Sequence, residues 1–233
     1  MFVGIDQKGQ RVFVENAKKE EMYFCPICNG KLHIREGEVN TKHFAHVSLE
    51  TCDDFSSDMS EWHRKWQEQF PMKNREVIIS HKGEVHRADV LAYGYVVEFQ
   101  HSSISAEEFN RRNSFYISAG YKVIWIFDLS EEWQRDSVEC YDEWDGRSEN
   151  GGKYSWKHPR RFMKNLVPQF EKKIILFFQL QNTTFENDEE ESYMERVTWA
   201  IHNEGESDFR RFITSYYPGT RDELLEWMSE KKL

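Results

Sequence analysis

Asp89 in EVHRADVLA and Glu98 in YVVEFQHS are, by residue type and spacing, the pair in this chain best suited to hold a catalytic cation. Both stretches have strand composition, and a turn at Tyr93-Gly94 separates them. A hairpin centred between Tyr93 and Gly94 pairs Leu91 with Val96, Val90 with Val97 and Asp89 with Glu98. A two-residue and a four-residue turn about that centre give the same register. Directly opposed carboxylates have Cβ atoms roughly 4.5–5.5 Å apart and destabilise a sheet unless something neutralises them. A divalent cation does so, and hard carboxylate oxygens suit Mg²⁺ or Mn²⁺. Gln100 lies two residues beyond Glu98 and so on the same face, while Arg87 shares the face of Asp89 and could hold a phosphate. The bland alternative is a carboxylate pair on an exposed sheet face, salt-bridged by Arg87 or Arg112.

A second group of residues points to a different metal. CPIC supplies Cys25 and Cys28, a knuckle whose two thiolates face one ion, and HFAHVSLETC ends at Cys52. Between them KLHIREGEVNTK carries Gly37 between two short strand-like runs, which suits a hairpin returning the chain to that ion. His43, His46 and Cys52 compete for the two remaining tetrahedral positions. In an extended strand His43 and His46 face opposite sides, so one of them binds, and we favour His46 with Cys52, leaving His43 as the alternate. The cluster holds no nucleophile or general base, so the expected zinc is structural. The remaining cysteine, Cys140, stands alone and reads as a small core residue.

The elements that must position these groups are legible around them. FVGI and RVFVE read as a hairpin with its turn near Gly9, bracing the cysteine site. SEWHRKWQEQF places Trp62, Trp66 and Phe70 on one helical face, with Ser60 as N-cap and Pro71 as stop. EVIISH and EVHRADVLA flank a turn at Lys82-Gly83, and YVVEFQHS follows. SAEEFNRRNSFYISAG opens with a capping box, Ser105 to Glu108, and closes at Gly120. YKVIWIFDL is a buried-type strand. The order is α-β-β-β-α-β, an α/β arrangement. Farther on, KYSWKHPRRF and KIILFFQLQ are expected as edge strands, with Arg160 and Arg161 on a basic rim. Three helices are expected to form a C-terminal extension: around Tyr193, Val197 and Ile201, around Phe209 to Tyr216, and from Thr220 with Leu224, Trp227 and Met228. Their apolar stripes suit packing on the core or a protein partner.

Composition limits the function. The chain has 233 residues, 39% of them hydrophobic, and a net charge of −10, which argues against a coat protein for nucleic acid. It does not exclude an enzyme on nucleic acid, which gathers carboxylates at its metal site. Much of the acidity sits in ENDEEE, Glu186 to Glu191, read as a solvated loop. MFVGIDQKGQ lacks an apolar signal core, and IILFF is far too short to span a bilayer. We therefore expect a cytoplasmic protein without a membrane partner.

FCPIC, HFAH up to Cys52, SEWHRKW, RADV, VVEFQHSSIS, RNSFY and GYKVIWIFD occur in the order found in the CoiA-like competence family, which the chain resembles from about Met1 to Asp128. Members of that family resemble PD-(D/E)XK nucleases. The resemblance implies a restriction-endonuclease-like αβββαβ core with a mixed sheet. A small β-rich zinc-ribbon-like module would precede it and the helical extension would follow. The expected domains are residues 1–58, 59–180 and 181–233. It also implies Asp89 as first acidic position, Glu98 as second, Gln100 where many relatives of the fold have lysine, Glu61 as accessory acid and Arg112 as the arginine of the second helix, expected with Arg87 to contact the substrate phosphate. The implied activity is metal-dependent cleavage of DNA in uptake, recombination or defence against foreign DNA. A second class is a non-catalytic DNA-binding or recombination-mediating protein that keeps the fold, for which Gln100 leaves room because glutamine cannot supply lysine's charge. His63 and His101 are nearby candidates for proton transfer, though such residues are more often ordinary polar neighbours.

Overall fold

The computed structural model describes residues 1–37, 41–48, 52, 60–135, 137–142, 153–156, 173–179, 194–199, 210–215 and 221–230. The chain divides into two compact units, Met1–Ala92 and Tyr93–Leu233.

The first unit opens with the expected hairpin, β1 (Val3–Ile5) antiparallel to β2 (Arg11–Phe13). Asp6 accepts the amides of Lys8 and Gln10 at 2.8 Å, and Gly9 takes φ +78° to close the turn. Three further strands complete a sheet ordered β2-β1-β3-β4-β5: β3 (Tyr23–Phe24), β4 (Lys31–Arg35) and β5 (His43–His46). Phe2, Val14, Tyr23, Leu32 and Phe44 form a small core under it. Helix α1 (Glu61–Glu68) starts where Ser60 accepts the His63 amide at 3.2 Å. The strands β6 (Arg75–His81) and β7 (Glu84–Ala92) then pair antiparallel. Their turn is Lys82-Gly83, both residues at positive φ, as a tight two-residue hairpin requires.

The second unit begins with β8 (Tyr95–Gln100), followed by α2 (Ala106–Ser118) and β9 (Lys122–Asp128). Then come α3 (Ser130–Gln134), β10 (Val138–Asp142), β11 (Lys153–Trp156), β12 (Ile174–Gln179), β13 (Met194–Trp199), β14 (Arg210–Ser215) and α4 (Arg221–Glu230). The strands run in the order β10-β11-β14-β13-β12-β9-β8. β8 and β12 flank β9 in parallel and the remaining pairs are antiparallel, so the sheet is mixed. Helix α2 packs Phe109 on Trp125 with ring centroids 4.9 Å apart, and Asn113 accepts the indole N–H of Trp125 at 2.9 Å. The capping box is present in part: Ser105 accepts the Glu108 amide at 3.0 Å. Replacing Ser105 by Ala leaves that amide without its cap, and we predict a loss of about 1 kcal/mol, read as a lowered urea midpoint.

Two expectations for the C-terminal third change. Neither KYSW nor KIILFFQLQ is an edge strand: β11 lies between β10 and β14, and β12 between β9 and β13, with Ile174, Leu176, Phe177 and Phe178 buried. A continuous apolar run is what a parallel strand covered on both faces needs. The stretches around Val197 and Phe212, expected as helices, are strands β13 and β14. Val197, Thr198, Ile213 and Thr214 are β-branched and favour the pleated conformation. The third expected helix is α4, whose Leu224, Trp227 and Met228 are buried, with Trp227 against Tyr95 and Phe177. Arg160, Arg161, Tyr193, Ile201, Phe209, Tyr216 and Glu186 to Glu191 lie outside the described residues, as does the side chain of Cys140. Among the described residues no helix is long and apolar enough to cross a membrane.

Candidate metal centre and candidate nuclease site

The knuckle is built by its backbone. Asn29 takes φ +58°, its amide bonds the Cys25 carbonyl at 2.9 Å, and the Cys25 amide bonds the Gly30 carbonyl at 2.8 Å. This tight turn aims the Ile27 amide at Cys25 Sγ (3.4 Å) and the Gly30 amide at Cys28 Sγ (3.3 Å). Strand β5 returns antiparallel to β4 and sets His46 opposite Leu32. The donor atoms of Cys25, Cys28, His46 and Cys52 all lie within 4.8 Å of one another. Cys25 Sγ is 3.4 Å from Cys52 Sγ, and His46 Nε2 is 3.4 Å from Cys28 Sγ and 3.5 Å from Cys52 Sγ. Zinc bonds of about 2.3 Å to sulfur and about 2.0–2.1 Å to nitrogen in a tetrahedron place such atoms roughly 3.5–3.8 Å apart. The cluster can thus hold a metal ion such as zinc. His43 is turned elsewhere, with Nδ1 2.7 Å from the Thr41 carbonyl.

Electrostatics before metal is bound fit the same use. Burial works against the Cys28 thiolate, but the Gly30 amide and the neighbouring thiols outweigh it and hold the group below its ordinary value. Burial, then the other two thiols, push the Cys52 thiol well up, so a cation is needed there to hold three thiolates together. Burial also lowers His46, helped by the charge on Arg87, which keeps its imidazole neutral for ligation. Close approach explains Gly30: a Cβ there would stand 3.1 Å from Cys28 Sγ and 3.4 Å from His46 Cδ2. Overpacking of that kind costs about 1–3 kcal/mol, so Gly30→Ala is predicted to weaken zinc binding roughly tenfold or more in a chelator competition.

Asp89 on β7 is buried, 8% exposed, and its Oδ1 accepts from His63 Nε2 at 3.0 Å. His63 is on α1, itself 1% exposed, with the Gln67 amide 3.3 Å from the same ring nitrogen. The buried stripe of α1 is therefore His63, Trp66, Gln67 and, just beyond, Phe70, a polar-bearing version of the apolar face read from sequence. Glu61, at the head of α1, bonds Arg64 at 2.7 Å and the Thr41 hydroxyl at 3.2 Å. The Arg64 contact lowers its carboxyl despite some burial. Arg87 is buried with Nε 3.9 Å from Glu76 Oε2. Glu76 itself takes φ +45°, and its two oxygens accept the amides of Phe2 (2.7 Å) and Val3 (2.9 Å). A non-glycine residue at positive φ inside a strand persists only when its surroundings hold it, and these bonds fasten β1 to β6.

In the second unit Glu98, on β8, is 1% exposed and accepts from Arg112 Nη1 at 3.0 Å. Arg112, on α2, is also bonded by Glu108 at 2.7 Å. Burial works against the charge on Arg112, and the two carboxylates more than offset it, so the guanidinium stays protonated. Gln100 is buried at the end of β8, where its amide donates to the Ser102 carbonyl at 2.6 Å. The next residue, His101, bonds Asp128 at 2.8 Å. Sequence reasoning gave Glu76 no role and His63 a minor one. The signal for His63 was its position one turn before Gln67 and three residues before Trp66, on the face that has to be buried.

Comparison with curated proteins and with solved structures gives no match. Two family models do match. The N-terminal domain of competence protein CoiA matches residues 6–55, which carry all four cluster ligands. The nuclease-like domain of competence protein CoiA matches residues 57–141, which carry α1, Asp89, Glu98 and α2. The two matches adjoin along the chain in that order, one on the cysteine module and one on the αβββαβ run, and the chain belongs to the competence protein CoiA family.

Proposed function

We propose that the chain is a metal-dependent nuclease that hydrolyses DNA phosphodiester bonds in DNA uptake, recombination or the processing of foreign DNA. Asp89 and Glu98 would hold Mg²⁺ or Mn²⁺, and Cys25, Cys28, His46 and Cys52 a structural zinc. The observation that carries the reading is a buried carboxylate on each of two consecutive strands of the nuclease-like match. Tyr93 and Gly94, which follow one another between those strands, both have positive φ, the backbone of a tight turn. Buried carboxylates are retained where a cation or ion pair offsets their desolvation.

When bound, a divalent cation supplies Lewis-acid polarisation of the phosphate and activation of an attacking water. The chain does the rest. His63 fixes the Asp89 carboxylate by donating to it. Arg112, itself held by Glu108, fixes Glu98. Arg87 and Arg112, read from sequence as phosphate contacts, are each engaged by a carboxylate, and their role in this proposal is to hold those carboxylates in place. Glu61 remains an accessory acid at the head of α1. The test is incubation of single- and double-stranded DNA, linear and circular, with Mg²⁺, Mn²⁺ or EDTA. Cutting that needs the metal supports the proposal, and DNA intact under every condition sinks it.

One observation favours a second reading, a non-catalytic DNA-binding recombination mediator. Gln100 stands where many relatives of the fold have lysine, and its amide is turned to the Ser102 carbonyl. Clear DNA binding without cutting would select this reading.

A further inference from the structure

The five-stranded sheet of the first unit has two faces, and its core and metal centre account for one of them. Leu32 and Phe44 lie in the core, His46 sits opposite Leu32, and a Cβ on Gly4 would stand 3.2 Å from the Phe44 ring. Side chains alternate along a strand and directly paired residues share a face, so the residues between these point the other way. One row of them crosses the whole sheet. Arg11 pairs with Ile5, Ile5 with Phe24 and Phe24 with Lys31, and the Val47 amide bonds the Lys31 carbonyl at 3.0 Å. His33 and Arg35 continue this face along β4, where Arg35 Nε donates to His33 Nε2 at 2.9 Å. Arg11, Lys31, Arg35 and Val47 are exposed, and Ile5 and Phe24 are half-buried. No Asp or Glu occupies a paired position on this face. The acids next to it in sequence are engaged: Asp6 accepts the amides of Lys8 and Gln10, and Glu36 pairs with Lys19 at 3.7 Å. In a chain of net charge −10, a sheet face with three cations and no carboxylate reverses the sign locally.

We propose that this face of the five-stranded sheet binds single-stranded DNA, with Arg11, Lys31 and Arg35 on phosphates and Phe24 under a base. Cations set around an accessible aromatic ring are the composition of single-strand binding surfaces, where phosphates meet Lys and Arg and bases stack on the ring. A duplex offers the same phosphates but keeps its base faces covered, so Phe24 favours a single strand. An anionic lipid surface would meet the same cations, but Ile5, Phe24 and Val47 make a narrow apolar strip for insertion. The choice of DNA rests on the reading above, in both of whose forms DNA is the partner. The face itself does not depend on Asp89 or Glu98.

The experiment measures fluorescence anisotropy of a labelled dT oligonucleotide with the zinc-loaded full chain over a range of salt, without Mg²⁺ or Mn²⁺ so that nothing is cut. Wild type is compared with the double variant Lys31→Gln, Arg35→Gln, with Phe24→Leu, and with Lys73→Gln, an exposed lysine outside this sheet. Each phosphate contact to a single strand contributes about 0.7 to the slope of log affinity against log salt. The double variant is therefore expected to lower that slope by about 1.4 and to weaken binding roughly tenfold or more. Phe24→Leu keeps an apolar side chain and removes the ring face, so it should weaken binding roughly tenfold with the slope unchanged. Lys73→Gln should bind as wild type. Zinc content and thermal melts check that the variants fold, and the double variant, which changes only exposed side chains, decides if Phe24→Leu folds poorly. Failure of wild type to bind dT, or equal binding by wild type and the double variant, overturns the proposal. Tighter binding of a duplex, of the matching rU strand or of anionic phospholipid vesicles than of dT overturns it as well. A wild type that binds dT through these residues but cuts no DNA with Mg²⁺ or Mn²⁺ sinks the nuclease reading and leaves this proposal standing.

Discussion

On the proposed function, Glu98→Gln is expected to abolish metal-dependent cleavage while leaving the protein folded and able to bind DNA. The substitution keeps shape and removes charge. An amide oxygen can still accept from Arg112 Nη1, which lies 3.0 Å from Glu98 Oε2, and Arg112 keeps Glu108 as its second partner. Breaking a buried ion pair outright costs about 3–5 kcal/mol, so the isosteric change is the one that separates catalysis from folding. The catalytic loss is larger, because a divalent cation contributes several kcal/mol to charge stabilisation, on the order of a thousandfold or more in rate. Asp89→Asn is expected to do the same and to retain the contact with His63. Cleavage rates, thermal melts and DNA binding measured together check this. Full-rate cutting by either variant would remove both carboxylates from the site.

Withdrawing the expected zinc from the Cys25, Cys28, His46 and Cys52 cluster is predicted to unfold the five-stranded sheet of the first unit. Its strands are two to five residues long, and its core is the small group around Phe2, Tyr23, Leu32 and Phe44. A core of that size supplies little net stability by itself. Structural zinc in small modules contributes about 10–16 kcal/mol near neutral pH, comparable with the whole stability of an ordinary domain, about 5–15 kcal/mol. Purified protein should contain one zinc per chain, and Cys28→Ala or chelation should abolish amide-exchange protection across β1 to β5. Acid acts in the same direction, since thiolates must be deprotonated to bind, so zinc is lost as pH falls. Protected amides in a metal-free protein would show the cluster to be dispensable.

What the sequence made legible was local. Ser60 and Ser105 cap their helices because a short polar side chain before an amphipathic run has that use above others. Gly83 and Gly94 mark two-residue turns because each supplies a left-handed conformation that most residues avoid. The cysteine cluster was legible because a Cys-x-x-Cys knuckle followed by a histidine and a third cysteine suits little besides metal ligation. Long-range facts were not legible. Nothing local to β12 says that it returns parallel beside β9, and the stripes of Val197 and Phe212 fit a helix until a neighbouring strand makes the pleat worthwhile. On α1 the weight given to Trp62, Trp66 and Phe70 hid the fact that the buried face includes His63 and Gln67, which are there because Asp89 is. Glu76 was missed because its task is to bind two backbone amides of β1, far away in sequence.

The most direct test of a shared cation at Asp89 and Glu98 is a titration of zinc-loaded protein with Mn²⁺, followed by electron paramagnetic resonance. One Mn²⁺ per wild-type chain is expected, with loss of that site in Asp89→Asn and in Glu98→Gln alike and zinc content unchanged. Mn²⁺ bound equally well by wild type and both variants would contradict it.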